Sequence, residues 1–572
     1  MSSRPTYSGS KARLAIAIDI GTTYSGASYT FLNPGEVPRI FDVIGFKLKL
    51  RPASMRIDTP PITLPPGRTV VDIFGDFLKY MYDCVRAHIV KSHADGEQLW
   101  LSLHDSAHII LSHPNGWGSL QQSRMRQAAI EGGLVPNTSE GKERIEFVTE
   151  GEASFHWCVE QTVAEKALQA GTKIVVADLG GGTIDVSSFR VVNPKPLRLQ
   201  EALGADCVVA GSITVTDRFV KTIRARLQGT PYDDQDSMET LREEFDDETK
   251  CLFRDESDES LYIRIGGRRD HYQDDQKLCR IEYGILEVQR NEVEQAFETS
   301  IQATVQAIKT HVDGQENTYI FLVGGFAASP WVLSETDRRL KEMGITCAVN
   351  RADSNTSKAV AHGGVAFYLD RYITERTMRF TYGLILGMSY DPTDPEHAKR
   401  AHKLRTDPIS GRVTVPGGFR PLVRKGELVK VESVYRESVT SQACQIPEIH
   451  SWEQYLVRYS GSIEDITFMD MDPSAFDIIG WFECEMPATA MTRRRGKHGT
   501  YWQPQWEVVI TLGTVEIKCH VEWNENGARK RWVMIAVIMR PSVMKKSVQK
   551  PGTSHLGGLL LNVEEISIEW QI

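Results

Sequence analysis

The chain has 572 residues, of which 41% are hydrophobic and 25% charged, with 66 basic residues against 75 acidic ones. That length exceeds a single hydrophobic core, so two or more domains are expected. The composition is that of an ordinary globular protein. The net charge of −9 argues against a general nucleic-acid binder.

Residues 1–12 are polar and read as a disordered N-terminus. The apolar run Leu14–Ile18 is too short for a signal core, and Asp19 ends it. The longest later run, Trp532–Met539, has eight residues and reads as a strand, so no membrane partner is expected. Nine cysteines contain no CxxC pair, which signals neither a zinc site nor a disulfide framework. Reduced thiols in a cytoplasmic setting are the simplest expectation.

The stretch "LAIAIDIGTTYSGASYTF" (14–31) reads strand, turn, strand. Helical spacing follows over 72–92, then a short strand at 107–111, then helices over 119–131 and 150–169. "VVADLGGGTIDVSSFRV" (175–191) is again strand, turn, strand. Helices are expected over 213–228, 236–253 and 288–312. "YIFLVGGFAASPWV" (319–332) is a buried strand entering a glycine turn at Gly324 and Gly325, and 357–373 is a further helix. This alternation to about residue 375 predicts an α/β region with a sheet covered by helices. Residues 376–572 hold many short strand-like segments and predict a β-rich C-terminal domain. The acidic run 232–250 and the basic run "TRRRGKHG" (492–499) read first as solvated faces, with nuclear import or nucleic-acid contact as the alternative for the basic run.

The two strand–turn–strand stretches share one grammar. An apolar strand ends in an acid, Asp19 or Asp178. Glycines and threonines follow: Gly21, Thr22 and Thr23 in the first copy, Gly180, Gly181, Gly182 and Thr183 in the second. Glycines let a backbone turn closely around an anion. Successive N–H groups then make a cationic concavity, and threonine hydroxyls add donors. A carboxylate beside phosphate makes sense with a divalent cation between them, and Mg²⁺ keeps its waters while bridging phosphate oxygens. Asp19 and Asp178 are therefore read as acids holding hydrated Mg²⁺ on a nucleotide. A plain tight hairpin with a capping Asp is the alternative for either copy alone. Two copies and a third glycine turn argue against it. No P-loop, no dinucleotide-binding GxGxxG and no kinase signature is present.

These residues resemble the phosphate hairpins of the actin-like ATPase superfamily. "IAIDIGTTYSG" and "VVADLGGGTIDVSSF" are most similar to those of the seventy-kilodalton heat-shock chaperones. "IFLVGGFAASPWV" resembles that family's adenosine turn, "SKAVAHGGVAFYL" the helix after it, and "IILSHPNGWGSLQQSRMRQAAIEGGL" the strand and helix before the hinge. "VTEGEASFHW" resembles the segment with the catalytic glutamate, and the "TEGEA" form points to the divergent twelve-A-like, fungal-type branch. The resemblance covers residues 12–373. It implies a two-lobed, duplicated ribonuclease-H-like domain over 13–375 that binds ATP or ADP with Mg²⁺ and closes its lobes around the nucleotide. It implies that Asp19 and Asp178 orient metal-bound water and that Glu150 positions the attacking water. It further implies that Asp185 stands near the metal and that Gly324 and Gly325 let the adenosine approach the backbone. On the residues alone, Glu150 is equally a helix N-terminal acid, and Asp185 equally faces solvent or caps its strand.

Three departures qualify the resemblance. Residues 33–70 are too short for a whole subdomain of the family, and its phosphate-neutralising lysine has no match, Lys47 and Lys49 being the nearest candidates. Weak or absent hydrolysis is expected, because one lost electrophile costs roughly 10²–10³ in rate. Phe326 and Ala328 replace adenine-pocket residues, while Asp247 and Lys250 keep two polar places and Cys251 replaces an arginine. Phe326 either stacks on the base or sits in the core. The C-terminal region resembles a peptide-binding β-domain only loosely and shows no helical lid. The expected function is a chaperone-like ATP-binding protein that meets protein partners through this region. A small-molecule kinase, such as one for a sugar, and a non-catalytic nucleotide-sensing scaffold are the alternatives.

Overall fold

The computed structural model describes residues 4–21, 25–45, 66–161, 168–255, 259–277, 279–312, 317–351, 358–443, 449–513 and 516–533. The chain divides into two units. One holds the described residues up to Thr374 except Gly118–Ser123, and the other holds Gly118–Ser123 and the described residues from Glu375 onward.

In the first unit, β1 (Arg13–Ile20), β2 (Ser25–Leu32) and β3 (Ile40–Gly45) form an antiparallel meander. β4 (His108–His113) then joins β1 in parallel, and β5 (Ile145–Thr149) joins β4. The sheet order is β3-β2-β1-β4-β5. A second meander follows in β6 (Lys173–Leu179), β7 (Ile184–Pro194) and β8 (Leu197–Val208). After it comes a separate antiparallel sheet of β9 (Ser260–Arg264), β10 (Tyr272–Asp274), β11 (Cys279–Glu282) and β12 (Ile285–Gln289). β13 (Thr318–Val323) then pairs in parallel with β6, and β14 (Val349–Arg351) pairs in parallel with β13. Five strands of this second main sheet run β14-β13-β6-β7-β8. Strand for strand, its parallel and antiparallel steps repeat those of the first sheet, so the duplication of the two hairpins extends to the topology around them.

β1 and β6 are apolar without alternation because both of their faces are covered. Leu14–Ile18 and Ile174–Ala177 are buried throughout. Helix Ala359–Asp370 packs on β1 and β2, and helix Glu150–Gln161 packs on β6 and β7. The two helices cross at a glycine. A Cβ placed on Gly363 would lie 1.8 Å from the Ala153 carbonyl oxygen, and one on Gly364 would lie 3.0 Å from the Ala17 Cβ. The glycine pair in "AHGGVA" thus lets one backbone press on another.

Some expectations are corrected. Residues 4–12, read as disordered, are fixed to the fold. Arg4 forks onto Asp370 at 2.9 and 3.0 Å and onto Glu160 at 2.7 Å, and the Tyr7 N–H donates to the Glu36 carbonyl. Burial pushes the Glu160 carboxyl up, but hydrogen bonds from His362 and Arg4 overcome this and hold it down at about 2. Arg4→Ala leaves Asp370 buried without its fork. We expect a loss of about 2 kcal/mol in urea unfolding, with Arg4→Lys restoring less than half of it. A variant as stable as wild type would show the fork to be idle. The helix expected over 288–312 begins only at Arg290, because 285–289 completes a sheet and Gln289 with Glu292 forms the capping box. The helix expected over 236–253 runs as Gln235–Glu244, a π turn at Phe245–Thr249, then Lys250–Leu252. In the stretch 33–70, residues 40–45 supply β3, while 46–65, with Lys47 and Lys49, lie outside the described residues.

The second unit is all antiparallel in its main sheets. One has the order Arg405–Thr406, Val413–Val423, Thr381–Ser389, Ile449–Tyr459, Phe476–Pro487. The other runs Val434–Thr440, Gln505–Leu512, Ile517–Glu525, Ala528–Val533. Trp506, Val508, Ile510 and Leu512 occupy every second position of one strand and share a core with Leu384, Leu456 and Met486 of the other sheet. Two sheets facing across one core make a sandwich. Among the described residues no helix is long and apolar enough to cross a membrane.

Candidate functional site

The site begins where β1 and β6 end. Asp19 is the penultimate residue of β1, and only 8% of it is exposed. Ser112, at the end of β4, donates its hydroxyl to Asp19 Oδ1 at 2.7 Å. Gly21 follows β1, while Thr22 and Thr23 lie outside the described residues. Asp178 is the penultimate residue of β6 and equally buried. Its hydroxyl donor is Ser154, on helix Glu150–Gln161. Each acid therefore has one serine, from a different element.

Gly324, after β13, has φ of +88°. A Cβ there would stand 2.4 Å from Asp178 Oδ1 and 2.5 Å from the Leu179 carbonyl oxygen. The turn presses bare backbone onto the acid, and Gly325 then opens the short turn Phe326–Ala328.

The second glycine loop is held by a helix. Gly180 N–H donates to the Thr183 carbonyl at 2.9 Å, closing the hairpin. The carbonyls of Gly180, Gly181 and Gly182 accept from the N–H groups of Ser212, Ile213 and Gly211, at 3.1, 2.9 and 3.2 Å. These donors lie at the start of helix Ser212–Leu227. A trans peptide points its N–H opposite to its C=O. The N–H groups of Gly181, Gly182 and Thr183 therefore face away from the helix, as three successive donors. Such a row attracts anions.

Charge is concentrated beside this row. Burial chiefly, with the charges of Asp185 and Asp19, raises the Asp178 carboxyl to about 7, against the Ser154 hydrogen bond. Three carboxylates thus share one region. Asp185 sits opposite Asp178 across the β6–β7 pair and is 1% exposed, so it does not face solvent. The Asn115 N–H donates to Asp185 Oδ1 at 2.6 Å, and the Asn115 side-chain amide donates to Ser187 Oγ at 3.2 Å and the Asp206 carbonyl at 3.1 Å. Asn115 follows β4, so the first half of the unit reaches directly into the second. Glu150 opens its helix and is half-buried. Burial, then the charge of Asp185 and more weakly that of Glu150, push the Cys207 thiol well above its usual range, so it stays protonated.

Lys250 donates to Thr216 Oγ1 at 3.0 Å and pairs with Asp246. Asp247 is exposed on the π turn. Phe326 is 4% exposed and stacks on Phe297 at 6.1 Å, so it is a core residue. Among the described residues no group of three or more His, Cys, Asp or Glu side chains is arranged to hold a metal ion. Ser112, Ser154 and Asn115 were not singled out from the sequence. The signal for two of them was a lone polar residue beside an apolar run, in "HIILSHPNG".

No family model matches the chain, and no curated protein matches it. Among solved structures it is similar to the crystal structure of MreB5 of Spiroplasma citri bound to ADP, at 13% identity and a TM-score of 0.38, over 62% of this chain and 96% of that one.

Proposed function

We propose that the first unit binds ATP or ADP with Mg²⁺ and that hydrolysis is slow or absent. The observation that carries this reading is the juxtaposition of two acid-tipped strand ends from topologically repeated halves. Asp19 lies close enough to Asp178 for its charge to raise the carboxyl. The donor set fits a polyphosphate. In this reading the N–H groups of Gly181, Gly182 and Thr183 hold phosphate oxygens, with Gly21, Thr22 and Thr23 supplying the other side. Asp19 and Asp178 accept from the waters of the cation, Asp185 stands behind them, and Glu150 orients a water. Gly324 and Gly325 leave room for the nucleoside, and Asp247 and Lys250 lie on the adenine side. Mg²⁺, when bound, supplies the charge that lets phosphates sit beside buried carboxylates.

The slow hydrolysis follows from the sequence, where no lysine matches the phosphate-neutralising position. Closure of the two halves on the nucleotide, a heat-shock-chaperone-like role, a cytoplasmic setting and protein partners on the β-sandwich belong to the same proposal. Isothermal titration with ATP and ADP, with and without Mg²⁺, tests it alongside a phosphate-release assay. We expect micromolar binding, roughly −8 kcal/mol, that tightens with Mg²⁺. We also expect phosphate release about 10²-fold below that of an intact ATPase. Absence of binding heat for both nucleotides would sink the reading, and phosphate transfer to a sugar would replace it with a kinase.

A further inference from the structure

The basic run 492–499 folds into an antiparallel hairpin, Thr492–Arg495 against Thr500–Gln503. Arg493, Arg494, Arg495, Lys497 and His498 are all exposed. Among the described residues no ion pair engages Arg493, Arg494, Arg495 or Lys497, and Arg494 only donates to Gln503 Oε1 at 3.0 Å. Other arginines in this acidic chain have carboxylates within reach, as Arg436 has Glu507 and Glu522. The hairpin is also fixed in place. Its tip N–H groups at Lys497 and His498 donate to the carbonyls of Ser410 and Ile409, at 3.3 and 2.9 Å. Asp407, the nearby acid, is turned inward onto Ser410 and Ile409 N–H groups.

One edge of the hairpin is taken and the other is open. Trp502 exchanges both backbone bonds with Ala443, each at 2.9 Å. Its backbone groups therefore point away from its cross-strand neighbour Arg493. Antiparallel alternation turns the N–H and C=O of Arg493 and Arg495 the other way, onto the outer edge. No strand pairs with that edge among the described residues.

We propose that Thr492–Arg495 receives an acidic, extended peptide segment of a partner protein by strand addition. The edge offers donors and acceptors in alternation, and a peptide satisfies both. Phosphates only accept, so a nucleic acid would leave the outward carbonyls unpaired, and the net charge of −9 repels it at long range. Arg493 and Arg495 lie on one face and Arg494 on the other, at the spacing of alternate side chains in the added strand. Carboxylates at every second position would meet guanidiniums in charge-assisted pairs. This inference is independent of nucleotide binding.

The probe is a fluorescein-labelled peptide of alternating Glu and Val, eight residues long, read by anisotropy on the full chain at low salt. We expect saturable binding, at least tenfold weaker for the Lys–Val counterpart and for the Arg493→Ser/Arg495→Ser variant. We also expect at least a tenfold loss when every peptide amide is N-methylated, a readout that charge alone would not move. Far-UV circular dichroism checks that the variant is folded, and the N-methylated peptide keeps the test decisive if it is not. Equal binding of the N-methylated peptide overturns the proposal, as does tighter binding of an oligothymidylate. No binding by wild type, together with aggregation of the serine variant, also overturns it and leaves the arginines as guards against edge-to-edge association.

Discussion

Gly363→Ala is expected to destabilise the first unit by about 3 kcal/mol. The new Cβ would stand 1.8 Å from the Ala153 carbonyl oxygen and 2.5 Å from its carbon. Neither is the end of a flexible side chain, so the crossing helices must separate. Separation opens gaps where Ala153 and Val365 pack with Ala17 and Ile110. Alanine returns about 1 kcal/mol in helix propensity, which is too little to offset this. Gly344→Ala serves as the contrast. Gly344 has φ of +80° with nothing within 4 Å of the added atom, so only the backbone penalty of about 1–2 kcal/mol applies. Urea unfolding followed by tryptophan fluorescence compares the two. A Gly363→Ala protein as stable as wild type would mean that the helices do not cross as described.

The second large effect concerns pH. Asp178 has its folded carboxyl raised from 3.8 to about 7, chiefly by burial. In the absence of ligand the folded chain therefore holds a proton that the unfolded chain releases above pH 4. Stability from this group is fully present below 3.8, declines as pH rises, and is lost as pH passes about 7. About three pKa units correspond to a loss on the order of 4 kcal/mol. Asp178→Asn cannot ionise and keeps a polar partner for Ser154. The difference between wild type and variant isolates the group from every other titration. We expect the variant to gain on wild type steadily between pH 4 and 7, and to be the more stable protein at pH 8. If nucleotide and Mg²⁺ bind as proposed, the cation would favour the carboxylate, and nucleotide affinity of wild type should climb over the same interval while apo stability declines. Parallel stability curves for the two proteins would contradict the buried, carboxylate-crowded setting of Asp178.

Much of this is legible in the residues alone. Unbroken apolar runs at 14–18 and 174–177 mark strands covered on both faces, and the acid and glycines after each mark a turn that leaves its strand for a purpose. Helices such as Val70–Ser92 announce themselves by spacing, with Phe74, Leu78, Met81, Val85 and Ile89 buried in register. The sheet β9–β12 was not legible. Its strands are three to five residues long and charged, so no window holds enough alternation. The serine and asparagine shell was equally silent, because Ser112, Ser154 and Asn115 matter only through what three distant segments place beside them. Arg4 follows the same logic: one polar residue in a polar stretch reveals nothing of the two carboxylates that grip it. Phe326 shows a further limit, since a phenylalanine beside a glycine pair suits a ligand and a core equally until its neighbour Phe297 is known.

The coupling between the second glycine loop and helix Ser212–Leu227 has a mechanical meaning. Three successive carbonyls are tethered to the first amides of a rod of 16 residues, about 24 Å long. Any displacement of the loop must drag the rod's near end with it. Thr216, one turn in, touches Asp246 and Lys250, and Arg226, near the far end, grips Glu292 at the start of another long helix. A displacement of the loop is thus passed along one rigid element to contacts at the periphery of the unit.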